Sequence, residues 1–122
     1  MKSLLLIAHG SRRSEANADL EFVAGHIRER KAYGFVQVSF LELAEPNIES
    51  GGELCVETGA TSVILLPYFL SPGVHVREDL TAARDRLAER FPTVRFILAE
   101  PLGRHPLLLE IVEQRAAEAE AI

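Results

Sequence analysis

Four short apolar runs, each ending in chargeable residues and each followed by residues at helical spacing, constrain this chain more than any other feature. The first is Leu4-Leu5-Leu6-Ile7-Ala8, which stops abruptly at His9-Gly10-Ser11-Arg12-Arg13. An apolar run this short and this continuous reads as a strand buried on both faces. It delivers an imidazole, a glycine turn and two guanidinium groups to one point.

The remaining segments repeat the pattern. After a first strand over residues 2–8, Ser14 is placed to cap a helix over 15–32, with Glu15 near its positive end. Ala16, Leu20, Val23, Ala24 and Ile27 recur along it at helical spacing, and Gly34 ends it. Residues 35–43 read as the second strand and 44–47 as its exit loop. A second helix is expected over about 47–58, with Pro46 in its first turn. Gly51 and Gly52 weaken that helix by roughly 1 kcal/mol each relative to alanine, so it is expected to be short or kinked. Gly59 closes it. Residues 62–69 form the third strand, with Pro67, which has no N–H, marking its end. Residues 70–75 are a loop, and Val76, Leu80, Ala83, Leu87 and Phe91 are the stripe of a third helix stopped by Pro92. Residues 93–98 are the fourth strand and 100–106 its exit loop. Leu108, Ile111, Val112, Ala116 and Ala119 line a closing helix. The order βαβαβαβα predicts an α/β fold of three layers, a four-stranded parallel sheet with helices on both faces. No linker or low-complexity tract interrupts residues 1–122, so a single domain is expected.

Composition narrows the function. Apolar residues make up 48% of the chain, enough for a core. A net charge of -5 argues against a general nucleic-acid binder. No apolar run approaches the roughly 20 residues a membrane helix needs. The N-terminal run lacks a small-residue cleavage site and reads as a strand rather than a signal peptide. Cys55 is the only cysteine, which excludes an internal disulfide and a cysteine-based zinc site. The expectation is a cytoplasmic protein with neither a nucleic acid nor a membrane as partner.

Ligands of open parallel sheets bind beyond the carboxyl ends of the strands. Those ends here carry His9, Ser11, Arg12 and Arg13, then Glu42 and Glu45, then His75 and Arg77, then Glu100, Arg104 and His105. His26, mid-helix, lies elsewhere. His9 precedes a glycine that permits close approach to the backbone. His75 sits in a loop turned by Pro72 and Gly73. Two imidazoles with Glu42 would make an open site for a divalent first-row metal. Glu42, at the end of an apolar strand, reads as a ligand or proton carrier, with pairing to Arg12 or Arg13 as the alternative. Arg12, Arg13, Arg77 and Arg104 are either ordinary surface charge paired with Glu15, Glu78 and Asp79 or a rim for a ligand bearing several carboxylates. Tyr68 and Phe69 read as core residues that could also line a pocket for a flat ligand. Cys55 reads as a small core residue, and His105 as a helix-start or rim residue.

The segments Leu-Ile-Ala-His9-Gly-Ser-Arg, Phe-Leu-Glu42-Leu-Ala-Glu-Pro, Leu-Pro-Tyr-Phe-Leu-Ser-Pro-Gly-Val-His75-Val-Arg-Glu-Asp and Ala-Glu-Pro-Leu-Gly-Arg-His-Pro, in this order at strand exits, resemble the small class II tetrapyrrole chelatases. These are the sirohydrochlorin cobaltochelatases and their ferrochelatase and nickelochelatase relatives. The resemblance covers nearly the whole chain. It implies an ATP-independent lyase of cobalamin or sirohaem-type biosynthesis that inserts Co²⁺, Fe²⁺ or Ni²⁺ into sirohydrochlorin, with no cofactor beyond the metal substrate. It implies His9, Glu42 and His75 as metal-site and catalytic residues. Ser11, Arg12, Arg13, Arg77 and Arg104 then fall to substrate binding, because that macrocycle carries eight carboxylates. It also implies a half-size chain working as a homodimer. Two positions depart from the family's pattern: Val74 stands where many members carry a basic residue, and Gly51-Gly52 interrupts a helix that is usually stronger.

Two other readings compete. A metal or tetrapyrrole carrier would use the same residues without turnover. A histidine phosphatase would place arginine before the His-Gly pair, where this chain has Ala8. No Walker loop or Gly-x-Gly-x-x-Gly follows any strand, which sets aside a nucleotide-binding domain.

Overall fold

The computed structural model describes residues 1–121. The chain alternates β1 (Lys2–Ala8), α1 (Ser14–Arg30), β2 (Phe35–Phe40), α2 (Ile48–Glu57), β3 (Ser62–Pro67), α3 (Val74–Arg90), β4 (Arg95–Leu98) and α4 (Pro106–Glu120). The strands form one parallel sheet in the order β2-β1-β3-β4. The most apolar run therefore holds a central place, paired on both sides.

Residues of β1 alternate between two cores, as a strand's side chains must. Leu5 and Ile7 join Ile48, Cys55, Val63, Leu65, Leu80, Leu87 and Phe96 beneath α2 and α3. Leu4 and Leu6 join Leu20, Ala24, Val36 and Phe40 beneath α1. Cys55 is fully buried, and burial pushes its thiol up to about 11. It is the small core residue its neighbours in sequence predict.

Several boundaries differ from the sequence reading, each for a local reason. Helix α1 starts one residue early: Arg13 occupies the N-cap, and Ser14 lies inside the helix rather than capping it. Lys31, in the left-handed conformation, ends it before Gly34. Strand β2 stops at Phe40 because residues 41–47 fold back, with the Phe40 N–H donating to the Pro46 carbonyl at 2.9 Å. Pro46 precedes α2 rather than opening it, and Asn47 caps the helix by accepting from the Ser50 N–H at 2.8 Å. Strand β3 ends at Pro67, and Tyr68 and Phe69 belong to the exit loop. Strand β4 starts at Arg95 rather than residue 93, after a turn in which the Val94 N–H bonds to the Phe91 carbonyl. Helix α3 begins at Val74, with Gly73 as N-cap, so His75 lies in its first turn and not in a loop.

The glycine pair in α2 has a packing role that periodicity does not reveal. Gly51 and Gly52 are both buried. A Cβ on Gly51 would lie 2.9 Å from Leu5 Cδ1 and 3.0 Å from Ser39 Cβ, and one on Gly52 2.7 Å from both terminal methyls of Leu87. The two glycines let α2 sit directly on the sheet and against α3.

Helix α4 departs most from expectation. Its predicted apolar stripe packs on no core: none of its described residues is buried, and Leu107, Leu109, Ile111 and Val112 are exposed. On the α1 side of the sheet, α1 covers β2 and β1, whereas Ile64, Leu66 and Ile97 of β3 and β4 are only partly buried.

The packing of α2 predicts the sign of one substitution. Gly51→Ala gains helix propensity, about 1 kcal/mol, but overpacks a filled interface, which costs about 1–3 kcal/mol. Urea denaturation of Gly51→Ala should show a lower midpoint than the parent chain, and an unchanged or higher one would refute the close-packing role.

Candidate functional site

The strand order reverses between β1 and β3: β2 lies beyond one and β4 beyond the other. At such a switch point the exit loops diverge and leave a crevice. The residue leaving β1 here is His9, and the second residue past β3 is Phe69. Their rings meet edge to face, with centroids 6.3 Å apart and an interplanar angle of 89°.

The β1 and β2 exits are fastened by backbone hydrogen bonds that continue past the regular strands. Leu41 N–H donates to the Ala8 carbonyl at 3.0 Å and Glu42 N–H to the His9 carbonyl at 3.1 Å. Gly10 makes this possible. Its φ is +100°, and a Cβ there would fall 1.8 Å from the Glu42 carbonyl oxygen. Leu43, also at positive φ, then turns the chain away. The result brings His9 Nε2 to 3.0 Å from Glu42 Oε1. Both side chains are more than half exposed, at 57% and 56%. Glu42 is thus exposed and outside the strand expected over residues 35–43, because the chain has already left the sheet at Phe40. Its partner is His9 rather than Arg12 or Arg13.

A cleft of about 320 Å³ opens beside this pair, between the start of α2 and one face of α3, and its lining includes His9, Glu42, Asn47, Glu49, Asp79 and Arg86. Arg86 is ion-paired with Glu49. Glu49 and Asn47 are polar cleft residues to which sequence reasoning assigns no role, and Asp79 enters it only as a partner for surface arginines. Asp79 had a signal, since it stands four residues after His75 and so shares its side of the helix. His75 itself is exposed in the first turn of α3. Among the described residues no three His, Cys, Asp or Glu side chains come together as a metal-holding group. His75 therefore does not join the His9–Glu42 pair in this structure.

The arginine rim falls into two parts. Arg77 and Arg104 line a groove with Glu100, Gly103 and His105, formed by the exits of β3 and β4. The two exits interlock: Leu102 N–H donates to the Phe69 carbonyl at 2.9 Å, and a Cβ on Gly103 would lie 1.7 Å from the Leu70 carbonyl oxygen. His105 is the N-cap of α4, its Nδ1 accepting from the Leu107 N–H at 3.1 Å, as its expected place at a helix start requires. Arg12 and Arg13 lie apart, on the exit of β1. Among the described residues none of these four arginines forms an ion pair, so the pairing with Glu15, Glu78 and Asp79 that was one of the two alternatives does not occur. His26 lies on α1, away from the strand exits, and accepts from Arg30 Nε.

Chemically, the site offers an imidazole–carboxylate pair at the mouth of a cleft, a second exposed imidazole, and four guanidinium groups without carboxylate partners. Imidazole and carboxylate donors suit divalent first-row metals, and guanidinium groups suit carboxylates.

Known proteins give this arrangement a context. The family model described as CbiX matches residues 3–119. The chloroplastic sirohydrochlorin ferrochelatase of Arabidopsis thaliana is 38% identical over 112 residues, which cover 92% of this chain and 50% of that one. The sirohydrochlorin cobaltochelatase of Sulfolobus acidocaldarius is 30% identical over 120 residues, covering 98% of this chain and 93% of its own length. The crystal structure of the sirohydrochlorin chelatase SirB from Bacillus subtilis subspecies spizizenii in complex with cobalt superposes with a TM-score of 0.87 at 30% identity, over 96% of this chain and 50% of that chain. The chain thus spans about half the length of several relatives it matches.

The Gly10 geometry generates a prediction of its own. Gly10→Ala forces both a clash and a disfavoured φ, a backbone cost of about 1–3 kcal/mol. The relief is separation of the β1 and β2 exits. Amide exchange at Glu42 should accelerate in the variant, and the ring-current shift that Phe69 imposes on His9 should change. Unaltered exchange at Glu42 would mean that Gly10 does not hold the two exits together.

Proposed function

The chain belongs to the CbiX family, and from that premise we propose that it inserts a divalent metal ion, Co²⁺ foremost and Fe²⁺ or Ni²⁺ as alternatives, into sirohydrochlorin. The observation that carries the reading is the His9–Glu42 pair at the switch point of the sheet. It is exposed and chemically suited to a metal that must be handed on rather than stored.

The residues divide the work by their chemistry. His9 and Glu42 receive the metal, and His75, exposed in the first turn of α3, completes the donor set. As ring nitrogens take over coordination, the imidazoles leave one at a time and accept the protons displaced from the two pyrrole N–H groups. Arg12, Arg13, Arg77 and Arg104 bind the peripheral carboxylates of the macrocycle, two on each side of the switch point. Ser11 shapes the loop that carries the first pair. Phe69, with its ring against His9, offers an apolar surface to the flat ring system. No ATP and no resident cofactor enter this scheme.

A second copy of the chain belongs to the reading. Helix α4 presents Leu107, Leu109, Ile111 and Val112 to solvent, while Ile64, Leu66 and Ile97 are incompletely covered. Two copies would match the length of the relatives that are twice as long. We therefore place one chelatase-like domain in each subunit of a homodimer. No helix among the described residues is long and apolar enough to cross a membrane, and the lone cysteine is a free, buried thiol. Both suit our placement of the enzyme in the cytoplasm.

The decisive measurement follows the absorbance change of sirohydrochlorin with Co²⁺, Fe²⁺ or Ni²⁺, with and without protein. Catalytic amounts should accelerate metallation well above the spontaneous rate, and His9→Ala and His75→Ala should each abolish that acceleration while leaving the circular dichroism intact. Stoichiometric binding without acceleration would instead identify a carrier. Full activity in either variant would remove that histidine from the mechanism.

The dimer is checked separately. Ile111→Asp and Val112→Asp change side chains on a helix that packs on no core in the single chain, so they spare its fold. In sedimentation velocity the parent should run as a dimer and the double variant as a monomer. A monomeric parent overturns the assembly.

A further inference from the structure

The loop that carries His9 and Arg12 is held by a residue to which neither the family resemblance nor the pattern of strand ends assigns a role. Asn17 lies in the first turns of α1, where a better helix former would serve a purely helical purpose. Its side-chain amide turns back on the loop and grips one residue twice. Oδ1 accepts from the Ser11 N–H at 3.0 Å, and Nδ2 donates to the Ser11 carbonyl at 2.7 Å. An amide supplies one acceptor and one donor side by side, and the backbone of a single residue offers the complementary pair. Aspartate would keep the first bond and set a carboxylate oxygen against the carbonyl in place of the second.

The grip extends by one further bond. Ser11 Oγ accepts from the Arg13 N–H at 3.0 Å. The N–H, carbonyl and hydroxyl oxygen of Ser11 are therefore all engaged inside the chain, and Ser11 acts as a fastening point rather than as a donor of its N–H to a ligand. Arg12 stands between two residues with pinned backbones, and its exposed guanidinium forms no ion pair among the described residues. His9 is secured independently, by the Glu42 N–H on its carbonyl, the Glu42 carboxylate on Nε2 and the edge-to-face contact with Phe69.

We propose that Asn17 is a positioning residue for Arg12: by holding Ser11 on both sides of its backbone it presents the Arg12 guanidinium in a fixed direction to a carboxylate of the substrate. The inference rests on the chelatase reading and adds to it a residue that acts on substrate affinity and not on chemistry. A guanidinium on a stiff loop loses little conformational freedom when it binds a carboxylate, whereas one on a loosened loop must be ordered at each encounter. Because His9 keeps its own anchors, the loss falls on the macrocycle and not on the metal.

The test is a kinetic double-mutant cycle with the full chain, sirohydrochlorin and Co²⁺, run well below the thermal midpoint of every variant. Asn17→Ala should raise the KM for sirohydrochlorin on the order of 10-fold, the scale of two side chain–backbone hydrogen bonds, with kcat and the KM for Co²⁺ within about twofold of the parent. Asn17→Asp should fall between Asn17→Ala and the parent. In an Arg12→Ala background, Asn17→Ala should add little further, because the residue it positions is gone. Full additivity with Arg12→Ala, or a fall in kcat with KM unchanged, would overturn the positioning role while leaving the chelatase reading in place. A parent chain that neither binds nor metallates sirohydrochlorin overturns the chelatase reading, and this inference with it.

Discussion

Gly10 approaches the Glu42 carbonyl so closely that no side chain fits between them, and most of the site depends on that approach. It extends the β1–β2 pairing by two hydrogen bonds beyond the regular strands. With the exits fastened, His9 and Glu42 face each other at 3.0 Å although both are more than half exposed. An exposed imidazole–carboxylate contact contributes little stability by itself, about 0–1 kcal/mol. Its geometry is therefore imposed by the backbone beneath it. Main-chain hydrogen bonds and one excluded Cβ fix two side chains that remain open to solvent, and such openness suits the incoming and departing metal of the proposed reaction.

The same logic separates what was legible in the sequence from what was not. Short apolar runs with no polar interruption, such as Leu4–Ile7, have one good solution in a soluble protein, a parallel strand covered on both faces. The βαβαβαβα order and the collection of His9, Glu42, Arg77 and Arg104 at strand exits follow from it. The exposure of Glu42 does not, because it depends on residues 41–47 folding back and on a left-handed Leu43. Propensity rules even point the wrong way for Gly51 and Gly52. They read as weak points of a helix, yet the missing side chains let that helix lie against Leu5, Ser39 and Leu87. Asn17 was hidden for a related reason: its partner is a backbone six residues away, and a side chain–backbone bond leaves no trace in hydrophobic periodicity.

His75 marks the boundary between what one chain supplies and what the proposed reaction demands. Its place in the first turn of α3 gives it a fixed base, yet it stands outside any three-ligand group among the described residues. A site that held three strong donors around a preformed cavity would bind the metal tightly and release it poorly. A pair with a third donor held apart would be a weaker trap, with which the nitrogens of the proposed macrocyclic substrate could compete. For the metal insertion proposed above, the affinity must lie below that of the product ring, and a dispersed donor set suits such transfer better than storage.

Helix α4 extends the argument from the site to the assembly. A helix with Leu107, Leu109, Ile111 and Val112 in water is at odds with the hydrophobic effect, at about 25 cal/mol for each Å² of apolar surface left exposed. The sheet face around Ile64 and Ile97 is short of cover in the same chain. The two deficits are complementary in kind, and both lie on elements next to the β4 exit, where Arg104 and His105 lead into α4. An assembly that satisfied them would therefore also fix the direction of the Arg77–Arg104 groove. In a chain about half the length of several of its relatives, the proposed homodimer would bury this apolar surface and complete the proposed carboxylate-binding rim in one structural event.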